Sequence, residues 1–245
     1  MPLTLPTHPV AVVPLKLAWP RRFDGLALVV GSIAPDVTYA AAGYAPTIYS
    51  HRWLAPLWWA LPFTLLAVRL IRWAAPAVAV HLPGGGPLRL RDYGVLGTVR
   101  HRWPITAISA VIGAYSHLLW DWPTHWWGPV RWWGPLSDAS NVVGFVAAAV
   151  LAVRIGRGGL LRRWHGPPPE ITARPAVFWP PVIVVLAAGL ASLPAQPAAD
   201  FVAGTAIRAL LIAVLALAAG AAATGIAPAR AARAPAPERR PDEKW

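Results

Sequence analysis

The sequence predicts an all-α fold: a polytopic helical membrane bundle of about six spans that opens with a short half-helix hairpin. Three observations predict it. The 245 residues are 56% hydrophobic and only 13% charged, too few charges for a soluble domain of this size. The apolar residues gather in runs of membrane-spanning length. The basic residues fall in the connections between those runs, as cytoplasmic loops require. The alternating segments of a lipid-facing barrel are absent.

Taken in order, residues 10–19 are apolar but only about 15 Å long as a helix, half of a bilayer. Arg21 and Arg22 end the run. Residues 26–42 follow, broken at Pro35-Asp36, so the two runs read as a hairpin turning at residues 20–25. Residues 53–73 form a full span, with Trp58, Trp59 and Trp73 suited to the interfaces and Arg69 and Arg72 at the inner end. A basic loop over 74–104 contains Gly84-Gly85-Gly86-Pro87. Residues 105–120 are the next span. The loop over 122–140 is dense in tryptophan, the signature of a membrane–water boundary. Residues 141–155 form a short span stopped by Arg154, Arg157 and Gly158. Residues 178–193 and 202–226 are the last two spans. The chain thus divides into a helical transmembrane domain, 1–226, and an Ala/Pro/Arg-rich tail, 227–245, expected to be disordered.

The net charge is +12, but the basic residues do not collect on one element, so nucleic-acid binding is not expected. They fall in the 20–25 turn, the 74–104 and 156–176 loops and the tail. Placing all of these in the cytoplasm puts the N-terminus and the 43–52 and 122–140 loops outside and the C-terminus inside. No cleavable signal peptide is expected, because His8, Pro9 and Pro14 interrupt the first apolar stretch. Cysteine is absent, which excludes disulfides and thiolate ligands and leaves nitrogen and oxygen to hold any metal.

Ionisable groups at membrane depth are costly and usually functional. His117 and Asp121 lie one helical turn apart at the end of their span, a spacing that suits a metal ion or a proton relay. The bland alternative is an interfacial His–Asp hydrogen bond. His125 lies a further turn along, but Pro123 disfavours helix at Trp122, so it is either a ligand or a loop histidine. Asp36 must find a partner or meet water at a helix end. His8 and His51 are ligands or solvated histidines; the topology brings both to the level of Asp36. Tyr49-Ser50-His51 echoes Tyr115-Ser116-His117. His81, His101 and His165 sit in basic loops and read as bland. There is no HExxH, GxSxG or P-loop.

Thr7-His8-Pro9, Gly31-Ser32-Ile33-Ala34-Pro35-Asp36, Ser50-His51 and Ser116-His117-Leu118-Leu119-Trp120-Asp121 with Thr124-His125 resemble a bacterial integral membrane family of unknown function, DUF4184, over residues 1–225. That family is distantly similar to the YdjM-type inner-membrane metal-dependent hydrolases. The resemblance implies metal-dependent hydrolysis in the bacterial plasma (inner) membrane.

The expectation is therefore a membrane enzyme with a divalent metal, zinc first and manganese second, held by some of His8, Asp36, His51, His117, Asp121 and His125. Asp36 or Asp121 serves as general base where it is not a ligand. The expected substrate is a phosphoester or similar bond in a membrane lipid or lipid-linked molecule, with Arg52 and Arg131 available to an anionic head group. The competing expectation is a non-catalytic transporter or proton/metal relay using the same residues, which needs ionisable groups spread through the full bilayer depth.

Overall fold

The computed structural model describes residues 7–122 and 130–225, and among these every regular element is helical. Two short helices, α1 (Thr7–Ala18) and α2 (Gly25–Ile33), form the expected hairpin. A 3-10 segment, Asp36–Ala41, follows α2. A π-helical turn at Pro56–Ala60 feeds α3 (Leu61–Val80). Then come a 3-10 segment at Leu90–Gly97 and the helices α4 (Trp103–Asp121), α5 (Trp133–Arg157), α6 (Leu160–His165), α7 (Pro175–Ser192) and α8 (Val202–Ala223).

Four helices are long and apolar enough to cross a membrane: Pro56–Val80, Gly134–Arg157, Pro175–Ala195 and Val202–Ala223. The expected count of about six is reached only by adding α4 and the α1–α2 hairpin. Exposed tryptophans bracket α4, Trp103 at its start and Trp122 just past its end. They stand about 28 Å apart at 1.5 Å per residue, close to the thickness of a hydrocarbon core, and tryptophan suits both of its surfaces. His117 and Asp121 lie in the last turns of α4, at its Trp122 end.

Two spans are longer than their sequence patterns predict. Residues 74–80 continue α3 instead of starting a loop, although Pro76 lies inside the helix. The proline ring is covered by Gly97, where a Cβ would stand 2.2 Å from Pro76 Cγ. Helix α5 starts in the tryptophan-rich stretch because Pro135 falls in its first turn, where a missing N–H removes no helical hydrogen bond.

Helix α2 is the centre of the bundle. Ala27 and Leu28 on α2 and Ala110 and Ala114 on α4 have no exposed surface. The two helices approach so closely that a Cβ on Gly31 would lie 2.4 Å from Ala110 O, and one on Gly113 2.4 Å from Leu28 O. Helix α5 meets α1 in the same way, Gly144 admitting Thr7.

At the end of α2 away from His117, Asp24 caps the helix by accepting from the Ala27 N–H. The carboxylate also accepts from Arg72 of α3 at 2.6 Å and from the Thr106 hydroxyl of α4 at 2.8 Å. Its backbone N–H donates to Ser109 Oγ at 3.0 Å. Beside it, Lys16 Nζ donates to the Pro20 and Phe23 carbonyls at 2.6 and 2.9 Å. This buried pin fixes α2 against both neighbours.

Candidate metal centre

Five of the six ligand candidates converge at the opposite end of α2 from this pin; the sixth, His125, lies outside the described residues. His8 comes from the first turn of α1 and Asp36 from the first residue of the 3-10 segment that Pro35 forces out of α2. His51 comes from the turn before α3, and His117 and Asp121 from successive turns of α4. His8 and His117 have no exposed surface, while Asp36 and Asp121 each keep 7%.

Two groups of three residues bring ligand atoms within 4.8 Å of one another: His8, Asp36 and His117; and His51, His117 and Asp121. The closest contacts run around the two imidazole Nε2 atoms. His51 Nε2 lies 3.1 Å from His117 Nε2. It stands 3.3 Å from Asp36 Oδ1 and 3.5 Å from Asp121 Oδ2. His117 Nε2 stands 3.4 Å from Asp36 Oδ1 and 3.2 Å from Asp121 Oδ2. His8 stacks on His117 with ring centres 3.7 Å apart and places its Nε2 3.7 Å from Asp121 Oδ1.

The hydrogen bonds behind the imidazoles fix their tautomers. His117 Nδ1 lies 2.7 Å from Ser32 O. A carbonyl only accepts, so Nδ1 carries the hydrogen and Nε2 presents a lone pair to the cluster. His51 is set by a longer chain. The Thr38 hydroxyl donates to Pro35 O at 3.0 Å. With that hydrogen committed, Thr38 Oγ1 accepts from Ser50 Oγ at 2.9 Å. Ser50 Oγ in turn accepts from His51 Nδ1 at 3.1 Å, leaving His51 Nε2 as a second lone pair aimed inward. Such outer partners orient and strengthen metal ligands.

With both rings neutral the cluster is acceptor-only: two imidazole lone pairs and two carboxylates at contact distance, the His51 side chain keeping 21% exposure and the others nearly buried. Buried like charges and opposed lone pairs repel unless a cation lies among them. One proton between the two Nε2 atoms would leave two carboxylates sharing one positive charge. A divalent ion held there would supply the missing charge. Ligands around a tetrahedral zinc at 2.0–2.1 Å are spaced about 3.3–3.4 Å apart, and the five contacts around Nε2, 3.1 to 3.5 Å, bracket that spacing. The donor set, imidazole and carboxylate without sulfur, fits zinc or manganese.

Two features of the site lay beyond sequence reading. Ser32 O and the Thr38–Ser50 relay hold His117 and His51 in place without belonging to the candidate ligand set. The echo around the two Ser-His pairs marks one of them: Ser50 holds His51, whereas Ser116 donates within its own helix to Gly113 O at 2.7 Å. Arg52 and Arg131 are both exposed at this end, each over an aromatic ring, Arg52 4.4 Å above Tyr49 and Arg131 5.7 Å from Trp132.

Fold and site together define a helical membrane protein with a buried His/Asp cluster at one end of its bundle. The chain belongs to the family described as a domain of unknown function, DUF4184, which matches residues 1–226. No protein of curated function and no solved structure matches it.

Proposed function

We propose that this protein is a metal-dependent membrane hydrolase acting on a phosphoester or similar bond of a lipid or lipid-linked substrate. The observation that carries the reading is the acceptor-only shell, whose two imidazoles are each pre-set by a hydrogen bond to turn Nε2 inward. His51, His117, Asp36 and Asp121 would hold the ion. A divalent metal held there would supply Lewis-acid polarisation of the scissile group and a water of lowered pKa.

The side chains divide the remaining work. Asp121 presents Oδ2 to the two imidazoles and Oδ1 to His8. Whichever carboxylate oxygen is not a ligand accepts the proton of the attacking water, Asp121 with His8 behind it or Asp36 beside His51. The lining of α2 and α4 excludes water from below. Arg52 and Arg131, both exposed at this end, would meet an anionic head group. The basic-loop pattern supports an extracytoplasmic site and a cytoplasmic C-terminus.

The relay alternative is less well supported. Ionisable groups do occur at a second depth, in the Asp24–Arg72–Lys16 pin. Between the two layers, however, the Gly31 and Gly113 contacts bring backbone against backbone, which closes the α2–α4 seam to a water wire. The test is hydrolysis of phospholipid and polyprenyl-phosphate substrates in mixed micelles by purified protein loaded with zinc. The reading expects product release that His117→Ala abolishes. Equal release by wild type and His117→Ala would sink it.

A further inference from the structure

Arg208 is a charge with no chemistry assigned to it, about 9 Å into the apolar helix α8 and only 5% exposed. Among the described residues no carboxylate pairs with it. It spends its donors on backbone carbonyls instead: Nε on Ala40 O at 2.9 Å, Nη1 on Pro197 O at 2.7 Å, and Nη2 on Ala42 O. Its guanidinium also lies 5.2 Å from the Tyr44 ring centre. Ala40 and Ala42 close the 3-10 segment that begins with Asp36.

The same end of α8 reaches the site by a second route. Phe201 meets Tyr39 edge-on at 5.6 Å, and Tyr39 stacks on His51 at 5.6 Å. Helix and segment touch backbone to side: a Cβ on Gly204 would stand 2.8 Å from Tyr39 O. Gly43, at φ +80°, turns the chain against Pro197, where a Cβ would meet the proline at 2.6 Å.

From these contacts we infer that Arg208 is a positioning residue for the cluster: its fork ties the segment 36–42 to α8 and so holds Asp36, and through Tyr39 His51, at ligand distance. This rests on the metal reading above. A guanidinium fixes three carbonyls with one planar group, which a lysine ammonium on a flexible stem does not reproduce. A buried cation in a membrane helix is costly enough that a merely decorative role is disfavoured.

The test has two readouts on detergent-purified full-length protein. Hydrogen exchange, read without metal, follows residues 36–44 in wild type, Arg208→Lys and Arg208→Met. Cobalt(II) affinity is then measured by chelator competition. Arg208→Met is expected to speed exchange over 36–44 and to weaken cobalt binding about tenfold, with Arg208→Lys intermediate. Should Arg208→Met fail to fold, Arg208→Lys and Gly204→Ala carry the same expectation. Unchanged exchange in a folded variant overturns the inference, and so does faster exchange with unchanged cobalt affinity. A wild type that takes up no cobalt fells the metal reading and the coupling with it, while the exchange data still report whether Arg208 holds the segment.

Discussion

Ser50→Ala removes no ligand, so its effect isolates the relay behind His51. The hydroxyl is buried at 2% exposure, accepts from His51 Nδ1 at 3.1 Å and donates to Thr38 Oγ1 at 2.9 Å. Alanine leaves Nδ1–H without its acceptor and frees the ring to rotate or change tautomer. A neutral hydrogen bond of this kind contributes about 1 kcal/mol net, and one to a charged group about 1.5–3 kcal/mol. A metal-bound imidazole lies between these, so the loss is about 1–2 kcal/mol, or about 5–30-fold in metal affinity. That agrees with the 10–100-fold typical of outer-shell partners. The assay is chelator competition on detergent-purified protein, with folding checked by thermal unfolding. Thr38→Val, one link further out, leaves Ser50 in place and is expected to weaken binding less. Wild-type affinity in a folded Ser50→Ala protein would refute the reasoning, because the tautomer argument then has no energetic content.

Other outcomes follow from the same geometry. His117→Ala and Asp121→Ala should each cut metal occupancy at least about tenfold, read by elemental analysis. Gly31→Ala and Gly113→Ala should each destabilise by about 1–3 kcal/mol or more, since each new methyl meets a carbonyl oxygen on the facing helix; thermal unfolding in detergent measures this. Asp24→Asn breaks the buried pin and should cost about 3 kcal/mol, the low end for such pairs because Arg72 keeps 16% exposure. Metal content should be spared, α2 setting the pin about 13 Å from the cluster. For topology, a cysteine at exposed Thr47 should react with an impermeant thiol reagent on intact cells and one at Gly85 should not; the reverse pattern overturns the orientation.

The candidate ligands were legible because an ionisable residue inside an apolar run has few innocent explanations. Asp36 after Pro35 and the one-turn step from His117 to Asp121 announce themselves, and α2 gives way to a 3-10 segment around Pro35. The groups that make the ligands work were not legible. Ser32 contributes a backbone carbonyl, which every residue owns. Thr38 and Ser50 acquire their roles only when the 3-10 segment and the turn before α3 meet. Asp24 sits at the start of an apolar run, where an N-cap could have been read, but the two partners from α3 and α4 are tertiary facts. Helix ends went astray where a basic or tryptophan-rich stretch was read as loop: α3 runs on past Trp73 through Pro76, packed against Gly97, and α5 starts before residue 141 with Pro135 in its first turn.

The claim beneath all of this is that the buried shell of lone pairs and carboxylates is completed by a metal. Elemental analysis of the full-length protein, purified in detergent without added metal or chelator, tests it most directly. The account predicts stoichiometric zinc or manganese that His117→Ala loses. Background metal in a folded wild type, unchanged after incubation with zinc and manganese, would contradict it.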